Sequence, residues 1–157
     1  MKFTLHTALP TQASSESLWI LVDSEQLQQS TKSYKINNLD NLISATQFKA
    51  AFNENLPLIA QIEEQANAQL LGLGKSNELK PNKLAKLAQS IIKSSQNKFK
   101  EITIDLTALP KDLHALFALS LSQAGYGYDE FKSKKNEFVL ETIHLVAETT
   151  LLDDAQL

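Results

Sequence analysis

Apolar residues along this chain fall into short blocks separated by polar stretches, and the spacing inside each block predicts its form. Phe3 and Leu5 alternate with polar neighbours over residues 2–7, the pattern of a strand with one face buried. Leu18-Trp19-Ile20-Leu21-Val22 is a continuous apolar run of strand length, which predicts burial on both faces. Residues 23–41 are rich in glutamine, serine and asparagine and read as a surface excursion. Ser44 then stands where it can cap a helix over residues 45–53, with Phe48, Ala51 and Phe52 on its inner side. Residues 53–57 break the pattern, residues 58–62 predict a strand, and residues 63–67 a polar hairpin into a strand over 68–73.

The second half is more regular. That strand leaves through Gly72-Leu73-Gly74-Lys75, and Pro81 is well placed in the first turn of the next helix. Leu84, Leu87, Ala88, Ile91 and Ser95 recur at helical spacing and predict its buried stripe, with Lys83, Lys86 and Lys93 opposite. Residues 101–106 alternate as a strand. Pro110 opens a further helix whose inner stripe is Leu113, Leu116, Phe117, Ser120, Leu121 and Ala124. Ala115, Ala118 and Leu119 make its outer side apolar too, which predicts a second contact there. Gly125 and Gly127 are expected to end it. A last strand is expected within residues 137–147.

Composition narrows the picture. A chain of 157 residues is of one-domain size and can bury about 70% of its unfolded surface without disulfides or metals. It has no cysteine, so thiolate metal ligands are excluded. The first residues read as a strand and not as a secretion signal, and no apolar run is long enough to span a bilayer, so a cytoplasmic protein is expected. All fifteen cations are lysine, and the absence of arginine argues against bidentate phosphate or base recognition.

Candidate chemistry is sparse. Gly74-Lys75-Ser76 invites a phosphate-loop reading, but the glycine required five positions earlier is Gln69. The dinucleotide pattern fails at Asn77, so a structural turn is expected. His6, His114 and His144 lie at no metal-binding spacing, and no Gly-x-Ser-x-Gly elbow is present. Lysines 75, 80, 83, 86, 93, 98 and 100 form a basic stretch. It could attract a nucleic-acid backbone, although without interleaved aromatics it reads first as a solvated face.

Tyr126-Gly127-Tyr128-Asp129-Glu130-Phe131-Lys132-Ser133-Lys134-Lys135 resembles the Tyr-x-Phe-Asp-x-Tyr-Lys-Ser-Lys stretch in the N-terminal domain of leucyl (cytosol) aminopeptidases. Tyr128 stands for the family's phenylalanine and Phe131 for its tyrosine. The order of Leu70-Leu71-Gly72-Leu73-Gly74-Lys75, a lysine-bearing helix, Ile102-Thr103-Ile104-Asp105, a helix, this motif and Ile143-His144-Leu145-Val146 is similar as well. The resemblance covers residues 48–146. It implies a three-layer α/β/α domain with a mixed sheet, macro-domain-like, over residues 1–148. Residues 149–157 would then begin a linker to a catalytic domain.

In that family the catalytic domain binds two divalent metals, zinc or manganese, and the enzyme, usually a homo-hexamer, removes N-terminal leucine from peptides. The family's metal-ligand motif, Asn-Thr-Asp-Ala-Glu-Gly-Arg, has no match here, so no catalytic, cofactor or metal residue is assigned. The resemblance implies an accessory and assembly domain, with Tyr126, Tyr128, Phe131 and Lys132 as contact residues toward its own catalytic domain or other subunits. The alternative is a free-standing macro-like module binding ADP-ribose near residues 72–75 and 125–128.

Overall fold

The structure, a computed structural model, describes residues 2–6, 17–25, 36, 39–58, 67–75, 78–95, 98–131 and 140–146. Six strands form one sheet: β1 (Lys2–His6), β2 (Ser17–Val22), β3 (Asn55–Pro57), β4 (Ala68–Gly72), β5 (Glu101–Asp105) and β6 (Thr142–Val146), in the spatial order β1-β6-β5-β2-β4-β3. Every pairing is parallel except that of β3 with β4, so the sheet is mixed as expected. Among the described residues three helices lie between the strands in sequence: α1 (Leu39–Thr46), α2 (Pro81–Ser95) and α3 (His114–Phe131). A 3-10 turn over Lys111–Leu113 leads into α3.

Alternation along β2 divides the core. Trp19 and Leu21 point to one face with Ile102, Ile104, Ile143 and Leu145, where they meet Leu84, Leu87 and Ile91 of α2 and Phe117 and Leu121 of α3. Leu18, Ile20 and Val22 point to the other face, where Leu56, Leu58, Leu70 and the α1 residues Leu39, Leu42 and Ile43 gather. Helices therefore cover both faces of an α/β fold. All six residues of β2 are buried, as a central parallel strand requires.

The second face changes character along the sheet. On β5 and β6 it carries Thr103, Asp105 and His144, all buried. His144 Nε2–H donates to Glu101 Oε1 at 2.8 Å, from one strand to its neighbour.

Several expectations hold. The α2 stripe Leu84, Leu87, Ala88, Ile91 and Ser95 is buried, joined by Ile92. Others are corrected. No helix covers residues 47–53, because α1 ends at Thr46 and Gln47, Ala50 and Asn53 all have positive φ. Phe48 and Ala50 are buried from this loop, whereas Ala51 is exposed. A strand forms at Asn55–Pro57, in the stretch read as a break, while the strand expected at 58–62 falls mostly outside the described residues. Pro57 is tolerated because β3 is an edge strand, where a missing N–H costs no ladder bond. The hairpin expected at 63–67 falls mostly outside the described residues. Finally, α3 runs through Gly125 and Gly127 to Phe131, so the glycines do not end it.

Candidate contact surfaces and strand ends

The turn after β4 is held by backbone on every side. Gly72 N–H donates to Glu54 O at 2.7 Å, Leu73 N–H to Val22 O at 2.8 Å and Gly74 N–H to Ala50 O at 3.0 Å. Asn53 and Ser24 return bonds to the carbonyls of Gly72 and Gly74. The Glu54 carboxylate completes the arrangement by accepting from the amides of Lys49 and Ala51, each at 3.0 Å. Gly74 has φ +68, a conformation glycine adopts without strain. Amides that already donate to protein cannot wrap a phosphate, and α2 begins only at Pro81. The segment is a structural turn, as its spacing indicates.

The sheet order reverses between β2 and β5, where α/β folds commonly bind ligands at the carboxyl ends. Asp23 and Asp105 stand there, each 7% exposed. Asp23 accepts from the amide of Glu25 at 2.7 Å and Asp105 from that of Thr107 at 2.8 Å. These short-range bonds pin the chain as it leaves each strand. Sequence reasoning did not single out this pair; a carboxylate just after β2 and another closing β5 were the available signal. At the amino ends of the strands a cleft of ≈ 370 Å³ opens between Pro57, Ala68 and Gln69 on one side and Ser94, Lys98 and Phe99 on the other.

Two of the histidines have described partners. His114 Nε2–H donates to Leu109 O at 2.8 Å and clamps the entry to α3, while His144 pairs with Glu101. His6 lies in β1. Among the described residues no group of three or more His, Asp or Glu is placed to hold a metal ion. These residues do not fit a two-metal centre.

Two surfaces remain. Lys75, Lys80, Lys86, Lys93, Lys98 and Lys100 are exposed on and around α2, and Lys83 Nζ lies 5.2 Å from the centre of the Phe52 ring. On α3, Ala118 is buried and Ala115 packs against the same core, so much of the supposed outer side faces inward. Leu119, 51% exposed, is the one large apolar side chain open to solvent among the described residues. Tyr126, Tyr128 and Phe131 fall in the C-terminal part of α3, and Lys132 lies outside the described residues.

Known proteins place this architecture. The profile of the cytosol aminopeptidase family, N-terminal domain, matches residues 20–135. A probable cytosol aminopeptidase of Acinetobacter baumannii is 64% identical over all 157 residues, and one of Acinetobacter baylyi is 52% identical over the same span. The chain covers 33% of each, so it spans about a third of the length of these curated relatives. Among solved structures, a tomato leucine aminopeptidase variant superposes with a TM-score of 0.70 at 14% identity, covering 99% of this chain and 35% of that one. A bottromycin maturation enzyme in complex with manganese gives 0.61 at 12% identity, covering 91% and 29%. At those identities the superpositions establish the fold, and the sequence matches establish the kinship. The chain belongs to the cytosol aminopeptidase family, as its N-terminal domain.

Proposed function

We propose that this chain is the accessory and assembly domain of a metal-dependent leucyl aminopeptidase, whose peptide-cleaving chemistry resides in a C-terminal catalytic domain. The observation that carries this reading is the match of residues 20–135 to the family's N-terminal domain, in a chain a third as long as its relatives. The lack of a metal-holding cluster among the described residues is compatible with it. A metal-activated water needs several converging ligands and an open position, and in this reading the catalytic domain supplies them for two zinc or manganese ions. The domain extends over residues 1–148, and residues 149–157 begin the connection.

The contact surface toward the catalytic domain or neighbouring subunits comprises Leu119 and the stretch Tyr126, Tyr128, Phe131 and Lys132. A homo-hexamer is the proposed assembly. The cytoplasm is the proposed location, in keeping with the relatives' name and with the finding that no described helix is long and apolar enough to cross a membrane. The relatives lend no support to the ADP-ribose-binding alternative.

The test compares this chain alone with a full-length enzyme carrying it. With zinc or manganese added, the chain alone should release no leucine from leucyl amides, and the full-length enzyme should. Turnover by the isolated chain would overturn the assignment. In the full-length enzyme, Leu119→Asp combined with Tyr128→Ala should shift native mass spectra toward smaller assemblies.

A further inference from the structure

Among the described residues, three polar atoms in the α2-facing core lack a hydrogen-bond partner: Ser17 Oγ, Ser95 Oγ and Trp19 Nε1. Their residues are 0%, 0% and 1% exposed. Buried polar atoms are nearly always bonded, to protein or to enclosed water, because leaving water without replacement is costly.

The fold brings the three to one end of the molecule. Ser17 and Trp19 are two residues apart in β2 and so share a face. Their register partners are Ile102 and Ile104, which belong to the core beneath α2 and α3. Ser95 is the last residue of α2, and its carbonyl accepts from the amides of Lys98 and Phe99 just before β5 begins at Glu101. The C-terminus of α2 therefore stands over the amino ends of β5 and of β2 beside it. Ser94 and Phe99 also wall the cleft with Gln69, which is the register partner of Trp19 and so lies on the same face of the sheet. The cleft thus reaches the layer that contains the two serines.

We infer that Ser17, Ser95 and the indole of Trp19 hold an internal hydration site of one or two water molecules, wedged between β2 and the last turn of α2. The chemistry is complementary. Each hydroxyl can donate once and accept twice, and the indole donates once. A water placed among them can accept from Trp19 and exchange bonds with both serines. The cleft at the amino ends of the strands supplies a short path for exchange with bulk water. The site does not depend on what the domain is joined to.

The sign of a mutational effect tests this. If the hydroxyls are dry and unbonded, Ser17→Ala and Ser95→Ala each remove a buried cost; each should raise the melting temperature or leave it unchanged, and the two effects should add. If they share water, each substitution should lower it by roughly 2–4 °C, and the double variant should lose less than the sum, because the second change acts on water already displaced. Trp19 is the only tryptophan in the chain, so its indole N–H is an unambiguous NMR reporter. A cross-peak from that N–H to long-lived water is expected in the unaltered chain and should vanish in the double variant. Additive substitutions that do not destabilise, or an indole without a water cross-peak, would each overturn the inference.

Discussion

At Gly72 the backbone of β4 lies against the loop before β3, and a Cβ built there would meet Ala51 O at 2.1 Å and Ala50 C at 2.5 Å. Both obstacles are main chain, held by the bonds among residues 50–54, 72 and 74. Gly72→Ala should therefore cost about 3 kcal/mol or more, read as a lowered urea midpoint. Gln47 presents the converse case. It is exposed with φ 57, so Gln47→Gly should relieve backbone strain and raise stability by up to about 1 kcal/mol. The glycines announced the turn after β4 in the sequence. The loop that packs on them did not announce itself, because Gln47, Ala50 and Asn53 take left-handed conformations without a glycine to mark them. Bonds from Lys49 and Ala51 to the Glu54 carboxylate, from Asn53 to Gly72 and from Gly74 to Ala50 hold the loop in that path, and local propensity contains no trace of such bonds.

Secondary-structure elements were legible where burial follows a period. The α2 stripe could be read because one side packs on the sheet and the other is solvated, and β2 because both its faces are buried. In α1, Leu39, Leu42 and Ile43 have the right spacing, but polar residues around them hid the short helix. In α3 the usual stop signal was overridden. A helix-interior glycine costs roughly 1 kcal/mol relative to alanine, and Phe117, Ala118 and Leu121 already anchor this helix in the core. That anchoring makes a contrast testable on one element. Phe117→Ala should cost about 3–5 kcal/mol in denaturant unfolding, whereas Leu119→Asp, two residues on, should stay within about 0.5 kcal/mol. An equally large loss at Leu119 would show that it already has a partner within the chain. The contact role of Tyr126, Tyr128, Phe131 and Lys132 came from family resemblance, since no period or spacing encodes what a neighbouring domain will touch.

Charge is unevenly spread over the molecule. Residues 75–100 hold seven lysines against one acid, Glu78, for +6, while the other eight lysines and seventeen acids leave −9 elsewhere. Attraction of a polyanion to such a face should be weak and sensitive to salt, since no arginine is present to form bidentate phosphate bonds. Any DNA retention seen in a low-salt band shift should disappear when Lys83, Lys86 and Lys93 are reversed to glutamate. Persistence after that change would rule the lysine face out as its cause.

The pairing of β1 with β6 joins the first described strand to the last. Removing residues 1–7 should strip Phe3 from the core and lay the backbone of β6 bare, giving a lower unfolding midpoint and concentration-dependent association. During synthesis the same pairing imposes a wait. β1 leaves the ribosome before the other described strands, yet its neighbour among them follows some 140 residues later. At about 5–20 residues per second, the opening segment must stay soluble for roughly 7–28 seconds before its place in the sheet exists. Its alternating lysine, threonine and histidine suit that interval, because they keep a nascent strand hydrated until its partner arrives.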